Sequence, residues 1–452
     1  MRGKKMILVS ANRYTVPYPV YPLGISYLKA YLAEQMPSLE IHIFDFMTGS
    51  SEDYARLLTG IQPDYVGISL RNIDDVNIYK QESFIAHYQQ IISDTRKYCK
   101  PVIIIGGAGF SIYPELLFET LDPDFGIYGE GEVSLQQLIT ALENKQNYTA
   151  IDGLIYRQYA KVIVNKRNRH FKTPVLTFED TLIDYYWQNS GMLNIQTKRG
   201  CPYNCIYCTY PLIEGHKVRT LNPDQIVNTL SELYVNYKID YIFFTDSIFN
   251  INNSFNLDLA DRLIAAKLKI QWGGYFNFVN IDRKLLEKLK RAGLRHIEFG
   301  TESLSDTMLK NYGKPFTVAD IFTISEICNQ LEIDFAHFLI LGGYRETEQT
   351  LDETFENSKK IERSVFFPFI GMRIYPGTRL HKIALREKIV KKDDPLLEPV
   401  YYVSKDINLE TLKDKAQKSG KAWIFPDEDM SEIMLRMRKR NKKGPLWEYL
   451  LK

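Results

Sequence analysis

Hydrophobic residues in the first 150 positions fall in short continuous runs separated by amphipathic stretches. MILVS from Met6, EIHIFD, YVGIS, VIIIGG and FGIYG have the length and Ile/Val content of strands. PLGISYLKAYLAEQM has helical spacing, with Pro22 near its start. Ile/Val runs closed by glycine fit strands buried on both faces of a parallel sheet. Their alternation with helices predicts an α/β fold, with a doubly wound Rossmann-like sheet over residues 1–150. Residues 151–168 read as a two-stranded hairpin, and the segment to 190, with Pro174 and Trp187 and closed by Gly191, as a linker.

The alternation resumes at residue 191 with longer helices. MLNIQT, YIFFTD, KIQWGGYF, HIEFG, DFAHFLILGG and FPFIGMRIYP are six further strand candidates. Asn222 and Pro223 supply the cap and first-turn proline of a helix with Ile226, Leu230, Leu233 and Tyr237 on one face. Asp282 opens a second helix, stopped by Gly293, and Thr317 opens a third. Six strand–helix units over residues 191–400 predict a partial (β/α)6 TIM-type barrel, whose reactive side is the C-terminal end of its strands. Residues 401–452 are expected to be a small helical region that includes the basic run MLRMRKRNKK. Such a run is a solvated face or a docking patch for an acidic partner.

Composition narrows the class. The 452 residues carry 57 basic and 55 acidic side chains, a net charge of +2, so no global field draws nucleic acid. No apolar stretch approaches the roughly 18–20 residues of a membrane span. The first apolar run ends at Asn12 and Arg13, too early for a signal peptide. Five cysteines are too few for a secreted disulfide scaffold, so a soluble cytoplasmic protein is expected.

Three of those five cysteines, Cys201, Cys205 and Cys208, fall within eight residues, immediately after the first barrel strand. Cys99 and Cys328 stand alone and read as small buried hydrophobes. Three thiolates so close in sequence can hold one polynuclear iron site, or one zinc with His216 as a fourth ligand. A 4Fe–4S cubane held by three cysteines keeps one iron open, able to bind a small molecule and pass it an electron. Zinc ligands more often come in Cys-x-x-Cys pairs within small loop-rich modules.

In TKRGCPYNCIYCTYP the chain resembles the radical SAM superfamily, whose Cys-x3-Cys-x-aromatic-Cys run follows the first strand of a partial barrel. Tyr207 supplies the aromatic. The resemblance continues in order: FFTDSIF with Asp246 and Ser247, HIEFGTES with Glu302 and Ser303, FLILGGYRETEQT with Gly342 and Gly343, and FIGMRIYPGTRL with Arg373. It implies that these residues, with Tyr207, contact S-adenosylmethionine (SAM), and that Cys201, Cys205 and Cys208 are the metal ligands and catalytic cysteines. FNFVNID departs from the pattern where many relatives carry an Arg, which leaves Asn277 and Phe278 expected to face the pocket.

The N-terminal sheet has glycine-rich strand ends that suit close approach of a flat or phosphate-bearing ligand. Candidate contacts at these ends are SLRN (Ser69, Leu70, Arg71, Asn72), GGAGFS from Gly106 to Ser111 (with Gly107, Ala108 and Gly109) and GEGE (Gly129, Glu130, Gly131, Glu132). No GxGxxG follows the first strand, so a dinucleotide is disfavoured. PLGISYLKAYL with Gly24, PDYVGIS, IIGGAGFSIYPE and FGIYGEGE, preceding such a barrel, resemble the cobalamin-binding domain of the cobalamin-dependent radical SAM subfamily. The D-x-H-x-x-G motif is absent, so the resemblance implies cobalamin without a histidine below cobalt, with Arg71 or Asn72 near that face.

The implied activity is reductive cleavage of SAM at a 4Fe–4S cluster to a 5′-deoxyadenosyl radical. Through methylcobalamin, this would methylate an unactivated carbon or phosphorus of a small molecule. An external flavodoxin or ferredoxin would supply electrons. Ring contraction or cyclisation without methyl transfer is the alternative. An RNA methylthiotransferase and a cofactor-binding sensor fit less well, the former because Cys99 is the only early cysteine.

Overall fold

The computed structural model describes residues 3–167, 177–430, 432, 435–436, 439–440 and 442–451. Pro174 of the expected linker and much of the basic run lie outside the described residues. The chain forms two compact units, one of residues 1–75, 82–185 and 212–214, the other of residues 76–81, 186–211 and 215–452.

The first unit is built on β1 (Lys5–Ser10), β2 (Glu40–Asp45), β3 (Tyr65–Ser69), β4 (Val102–Gly106), β5 (Phe125–Ile127), β6 (Leu154–Gln158) and β7 (Lys161–Val164). Their order is β2-β1-β3-β4-β5-β6-β7. The first five pair in parallel, so their carboxyl ends share one edge, and the order reverses between β1 and β3, where such folds bind ligands. Met6 and Leu8 close over the sheet because Gly67 beside them carries no side chain. The hairpin β6–β7 is not a separate linker. It continues the sheet antiparallel to β5, since Leu154, Ile155 and Tyr156 bury there. Asp180–Ser190, also expected within the linker, is a helix that buries Leu182, Ile183 and Tyr186.

The second unit carries β8 (Leu193–Ile195), the short pair β9 (Lys198–Arg199) and β10 (Arg219–Thr220), then β11 (Tyr241–Phe244), β12 (Gln271–Phe276), β13 (Leu294–Glu302), β14 (Asp334–Leu341) and β15 (Ser364–Ile370). A second short pair, β16 (Met372–Arg373) and β17 (Tyr401–Tyr402), precedes β18 (Ala422–Trp423). The main sheet runs β18-β15-β14-β13-β12-β11-β8, all parallel. The six expected barrel strands are present, and β18 adds a seventh. The C-terminal region is therefore not simply helical. Trp423 stacks on Phe366 at 4.7 Å between ring centres, an anchor carried by a two-residue strand too short to leave a periodic pattern.

The outer face of the barrel strands packs on helices. Trp272 lies there against Phe244 and Phe249, and its ring N–H donates to the Ala292 carbonyl. The inner face is closed at the N-terminal ends by the last described turn, Leu446–Leu450. Trp447 packs with Ala336 and Val365, and its Nε1 donates to Glu298 Oε1 at 3.1 Å. Tyr241 donates to Glu448 and lies 2.8 Å from His296 Nδ1. Burial pushes the Glu298 carboxyl above its ordinary range, against the pull of His296 and the Trp447 hydrogen bond. Trp447→Ala is expected to cost about 3–5 kcal/mol, from the cavity plus the lost donor to a buried acid. Trp447→Phe should cost less than half of that. Urea unfolding of the full chain measures both, and equal losses would mean that the hydrogen bond carries the effect.

Candidate active site

The cysteine loop leaves β8 through a buried ion pair. Lys198 Nζ lies 3.0 Å from Asp246 Oδ2, each side chain 1% exposed. The Thr197 and Lys198 amides donate to Asp246 Oδ1 at 2.6 and 2.9 Å, and the Thr197 hydroxyl donates to Oδ2 at 2.5 Å. The Lys198 ammonium also sits 4.2 Å from the Phe249 ring centre and 4.7 Å from that of Phe255. Burial pulls the Lys198 pKa down, with Asp246 holding the charge against it. Asp246, expected as a SAM contact, thus has both oxygens engaged by the chain itself.

Gly200 follows with φ +96°, at a place where a side chain would collide with the Lys217 carbonyl. Backbone bonds then pin the loop. Cys201 N donates to Gly215 O at 2.9 Å, Ile206 N to Tyr312 O at 3.1 Å, and Leu380 N to Ile206 O at 2.8 Å. Burial raises all three thiol pKa values, that of Cys208 to about 12. Cys205 pushes both Cys201 and Cys208 the same way, and Cys201 adds to the shift of Cys208, so the three share one electrostatic neighbourhood. The Ser247 hydroxyl works the other way on Cys201. Buried thiols of this kind hold their protons until a metal replaces them. Among the described residues no three Cys, His, Asp or Glu side chains meet at a single-ion position. His216, the expected fourth ligand of the zinc alternative, is exposed. A cubane takes each thiolate on a separate iron, which fits three cysteines spread along one pinned loop.

Above this loop lies a triad of which the sequence reading found two members, Tyr207 and Glu302. The third is Lys314, almost buried, with Nζ 3.0 Å from Glu302 Oε1 and 3.4 Å from the Tyr207 hydroxyl. Burial works against its charge, but Glu302, and Cys205 when ionised, outweigh it and raise the Lys314 pKa. In return Lys314 eases ionisation of all three cysteines. Glu302 reaches the triad from a bulge: the register of β13 on β14 shifts between Gly300 and Glu302, and Glu302 adopts φ +64°. A lone lysine two residues past a helix carries no motif, so nothing in the sequence singled it out.

The other expected SAM residues divide. Gly342, with φ +83°, and Gly343 form a tight turn at the end of β14, and both amides donate to the Glu346 carboxylate. Gly343 lacks a side chain where one would meet the Tyr312 hydroxyl. Ser303 is fully buried, 3.1 Å from the Thr354 hydroxyl and accepting from Ser305 N, so its side chain serves packing. Arg373 is buried and donates to the Ile374 and Leu396 carbonyls. Asn277 and Phe278 do not face an open pocket. Asn277 is tied to Asn250, and Phe278 stacks on Phe299 at 4.3 Å.

In the first unit the Ser69–Asn72 loop and the two glycine-bearing loops share the carboxyl edge of the sheet. Gly107 (φ +103°) and Gly109 press on the Leu70–Asn72 backbone, where a side chain on either would crowd it. Leu70 N donates to Gly106 O at 2.8 Å and Gly109 N to Leu70 O at 2.9 Å. Ser111 joins the remaining loops, donating to Gly107 O and accepting from Gly129 N at 2.8 Å. These glycines serve loop-on-loop packing. Leu70, Gly109 and Glu132 are buried, Ser69, Asn72, Gly106, Gly107, Gly129, Glu130 and Gly131 half-buried, and Gly24, Arg71 and Ala108 exposed.

Burial pushes the Glu346 carboxyl from 4.5 to about 7, against the pull of the two glycine amides. A group that holds its proton more tightly when folded contributes stability below its unfolded pKa and loses it as pH rises through the folded one. Relative to Glu346→Gln, the protein should lose up to about 3 kcal/mol between about pH 5 and pH 8. Urea midpoints across that range measure this, and parallel profiles for the two proteins would overturn it.

Known proteins resemble both units. The radical SAM superfamily matches residues 195–357, and the B12 binding domain matches residues 9–139. An uncharacterized methyltransferase of Pyrococcus horikoshii is 24% identical over 430 residues, 90% of this chain and 91% of the relative. The anaerobic magnesium-protoporphyrin IX monomethyl ester cyclase of Rubrivivax gelatinosus is 26% identical over 358 residues, covering 75% of this chain and 62% of the cyclase. The structure of the radical SAM methyltransferase TsrM from Kitasatospora setae, with cobalamin and a 4Fe–4S cluster bound, superposes with TM-score 0.86 at 18% identity, covering 99% of this chain and 97% of TsrM. No described helix is long and apolar enough to cross a membrane. Joining a B12-binding domain to a radical SAM domain, with cobalamin, SAM and a 4Fe–4S cluster as its cofactors, the chain belongs to the cobalamin-dependent radical SAM enzymes.

Proposed function

We propose that the protein transfers the methyl group of SAM, by way of cobalamin, to an unactivated carbon or phosphorus of a small molecule. The observation that carries this reading is one chain bearing both domains and aligning over nine-tenths of its length with a methyltransferase. The match to the cyclase covers less of both proteins and supports the non-methylating reading more weakly. When bound, the cluster, SAM and cobalamin supply electron transfer, a radical source and a methyl carrier. Cys201, Cys205 and Cys208 would hold the cluster. Glu302 and Lys314 offer one negative and one positive group side by side, matching the ammonium and carboxylate of the SAM amino acid moiety. The Gly342–Gly343 turn, held by Glu346, would let the adenine approach the backbone. In the first unit, cobalamin would lie along the edge formed by the loops at Ser69–Asn72, Gly106–Gly109 and Gly129–Glu132, beside Gly24, with Arg71 or Asn72 near the lower face of cobalt. A flavodoxin or ferredoxin would serve as electron donor.

Two experiments test this. Anaerobic reconstitution with iron, sulfide and hydroxocobalamin, then reduction with methyl-deuterated SAM, should yield S-adenosylhomocysteine and 5′-deoxyadenosine, with the label leaving SAM. Deoxyadenosine without homocysteine, in protein that has bound cobalamin, would favour the non-methylating branch. In protein matched for iron and sulfide content after reconstitution, Lys314→Met should weaken SAM binding about 10- to 100-fold, the worth of a buried charged hydrogen bond. Lys314→Arg should lose less. Equilibrium dialysis of the holoprotein reads both, and unchanged SAM affinity would remove Lys314 from the site.

A further inference from the structure

Asp246 and Ser247 follow β11 as consecutive residues, and the motif resemblance implies a SAM contact for both. Their side chains instead reach the start of the cysteine loop. Asp246 takes the Thr197 and Lys198 amides. Ser247, one residue on, donates its hydroxyl to the Gly200 carbonyl at 3.3 Å. The amide across that same peptide bond, Cys201 N, donates to Gly215 O at 2.9 Å. The peptide joining Gly200 to Cys201 is therefore gripped at both its oxygen and its N–H. Gly200 also packs so closely on Lys217 that a side chain would stand 2.2 Å from the Lys217 carbonyl oxygen. Between them these contacts set the direction in which Cys201 leaves the chain.

The Ser247 hydroxyl has one proton and two acceptors. Its 3.3 Å bond to Gly200 is long, since O–H···O pairs usually span about 2.5–3.0 Å. The second acceptor is the Cys201 sulfur, whose ionised form this hydroxyl favours. Charge-assisted hydrogen bonds are roughly twice as strong as neutral ones, so a thiolate outcompetes the carbonyl. Once a metal has displaced the Cys201 proton, the hydroxyl turns from the carbonyl to the sulfur. The other two cysteines are served differently. Tyr207 acts on Cys205, but its hydroxyl also accepts from Lys314, and Cys208 has a backbone donor at Tyr210.

Resting on the assignment of Cys201 as a cluster ligand, we propose that Ser247 is a positioning residue for the 4Fe–4S cluster, which orients the Cys201 peptide and donates its hydroxyl to the Cys201 sulfur so that the reduced cluster is favoured. Reduction adds one electron from an external reductant, and with it one negative charge. A donor on a ligand sulfur stabilises that added charge and raises the potential. Asp246 thus holds the origin of the loop while Ser247 holds its first sulfur, and neither role requires contact with SAM.

The test separates the hydroxyl from the shape of the side chain, because Thr and Val are nearly alike in shape and only Thr can donate. In protein reconstituted with iron and sulfide, matched for iron content and free of SAM, a potentiometric titration followed by electron paramagnetic resonance reads the midpoint of the cluster. Ser247→Ala and Ser247→Val should each lower the reduced-to-oxidised ratio at a fixed potential about three- to tenfold, the worth of one hydrogen bond, tenfold being a shift of about 59 mV for one electron. Ser247→Thr should keep the native midpoint. So should Thr323→Ala, which removes an exposed hydroxyl on the helix that Thr317 opens. Equal midpoints for the Thr and Val variants, or an Ala variant unchanged from the native protein, would overturn the proposal. Cys201→Ala checks the assignment beneath it. A cluster signal retained at native iron content removes Cys201 as a ligand and the proposal with it. Loss of that signal, with midpoints indifferent to residue 247, sinks this inference alone.

Discussion

The Lys198–Asp246 pair holds the start of the reactive edge in place. Two charges taken wholly out of water must satisfy each other, because isolating either costs several kcal/mol. Asp246 meets that condition by accepting two backbone amides, a hydroxyl and an ammonium. Those partners come from the residues immediately after β8, while the carboxylate comes from the end of β11. The pair therefore fixes the direction in which the chain leaves the first barrel strand, and Gly200 turns it at once into the cysteine loop. A metal centre on a long loop needs such a fixed origin, since ligand placement a fraction of an ångström loose forfeits affinity.

Charge around that loop is arranged in layers. Burial keeps the thiols protonated, Lys314 lowers the cost of ionising them, and Glu302 keeps Lys314 charged where burial alone would discharge it. The triad thus favours thiolate formation without exposing the cysteines to water. The same lysine is held beside Glu302 at 3.0 Å, so one cation faces both a carboxylate and the cysteine loop. Its partner Tyr207 is supplied by the cysteine loop, which couples the position of the loop to that of the ion pair.

Much of this was legible in the sequence because the information is local. The Ile/Val runs announce buried parallel strands, the cysteine spacing announces a metal loop, and the cap residues Asn222, Asp282 and Thr317 each accept from an amide of the helix they open. What escaped is non-local. Lys314 acquires meaning only when a bulge in β13 brings Glu302 to it. The hairpin β6–β7 and the two-residue β18 are strands because of what they pair with, not because of their own pattern. Residues assigned through motif resemblance divide in the same way. Glu302 and Gly342 lie at the reactive edge, while Ser303, Arg373 and Asp246 are engaged by their own chain, one step behind it. A motif marks a stretch of chain under constraint and does not say whether a side chain in it faces the ligand or the scaffold.

The bulge at the end of β13 shows why one strand can serve two chemistries. In a regular strand, residues 298, 300 and 302 would all face the interior at even spacing, and a carboxylate at the third would project over whatever occupied it. The register shift lifts Glu302 out of that row and turns it towards Lys314. Gly300 below it adds no atoms to the interior. The strand thus gives its last residue to the ion pair with Lys314 and adds no side-chain bulk in the row beneath it. The boundary between the two environments is one residue thick.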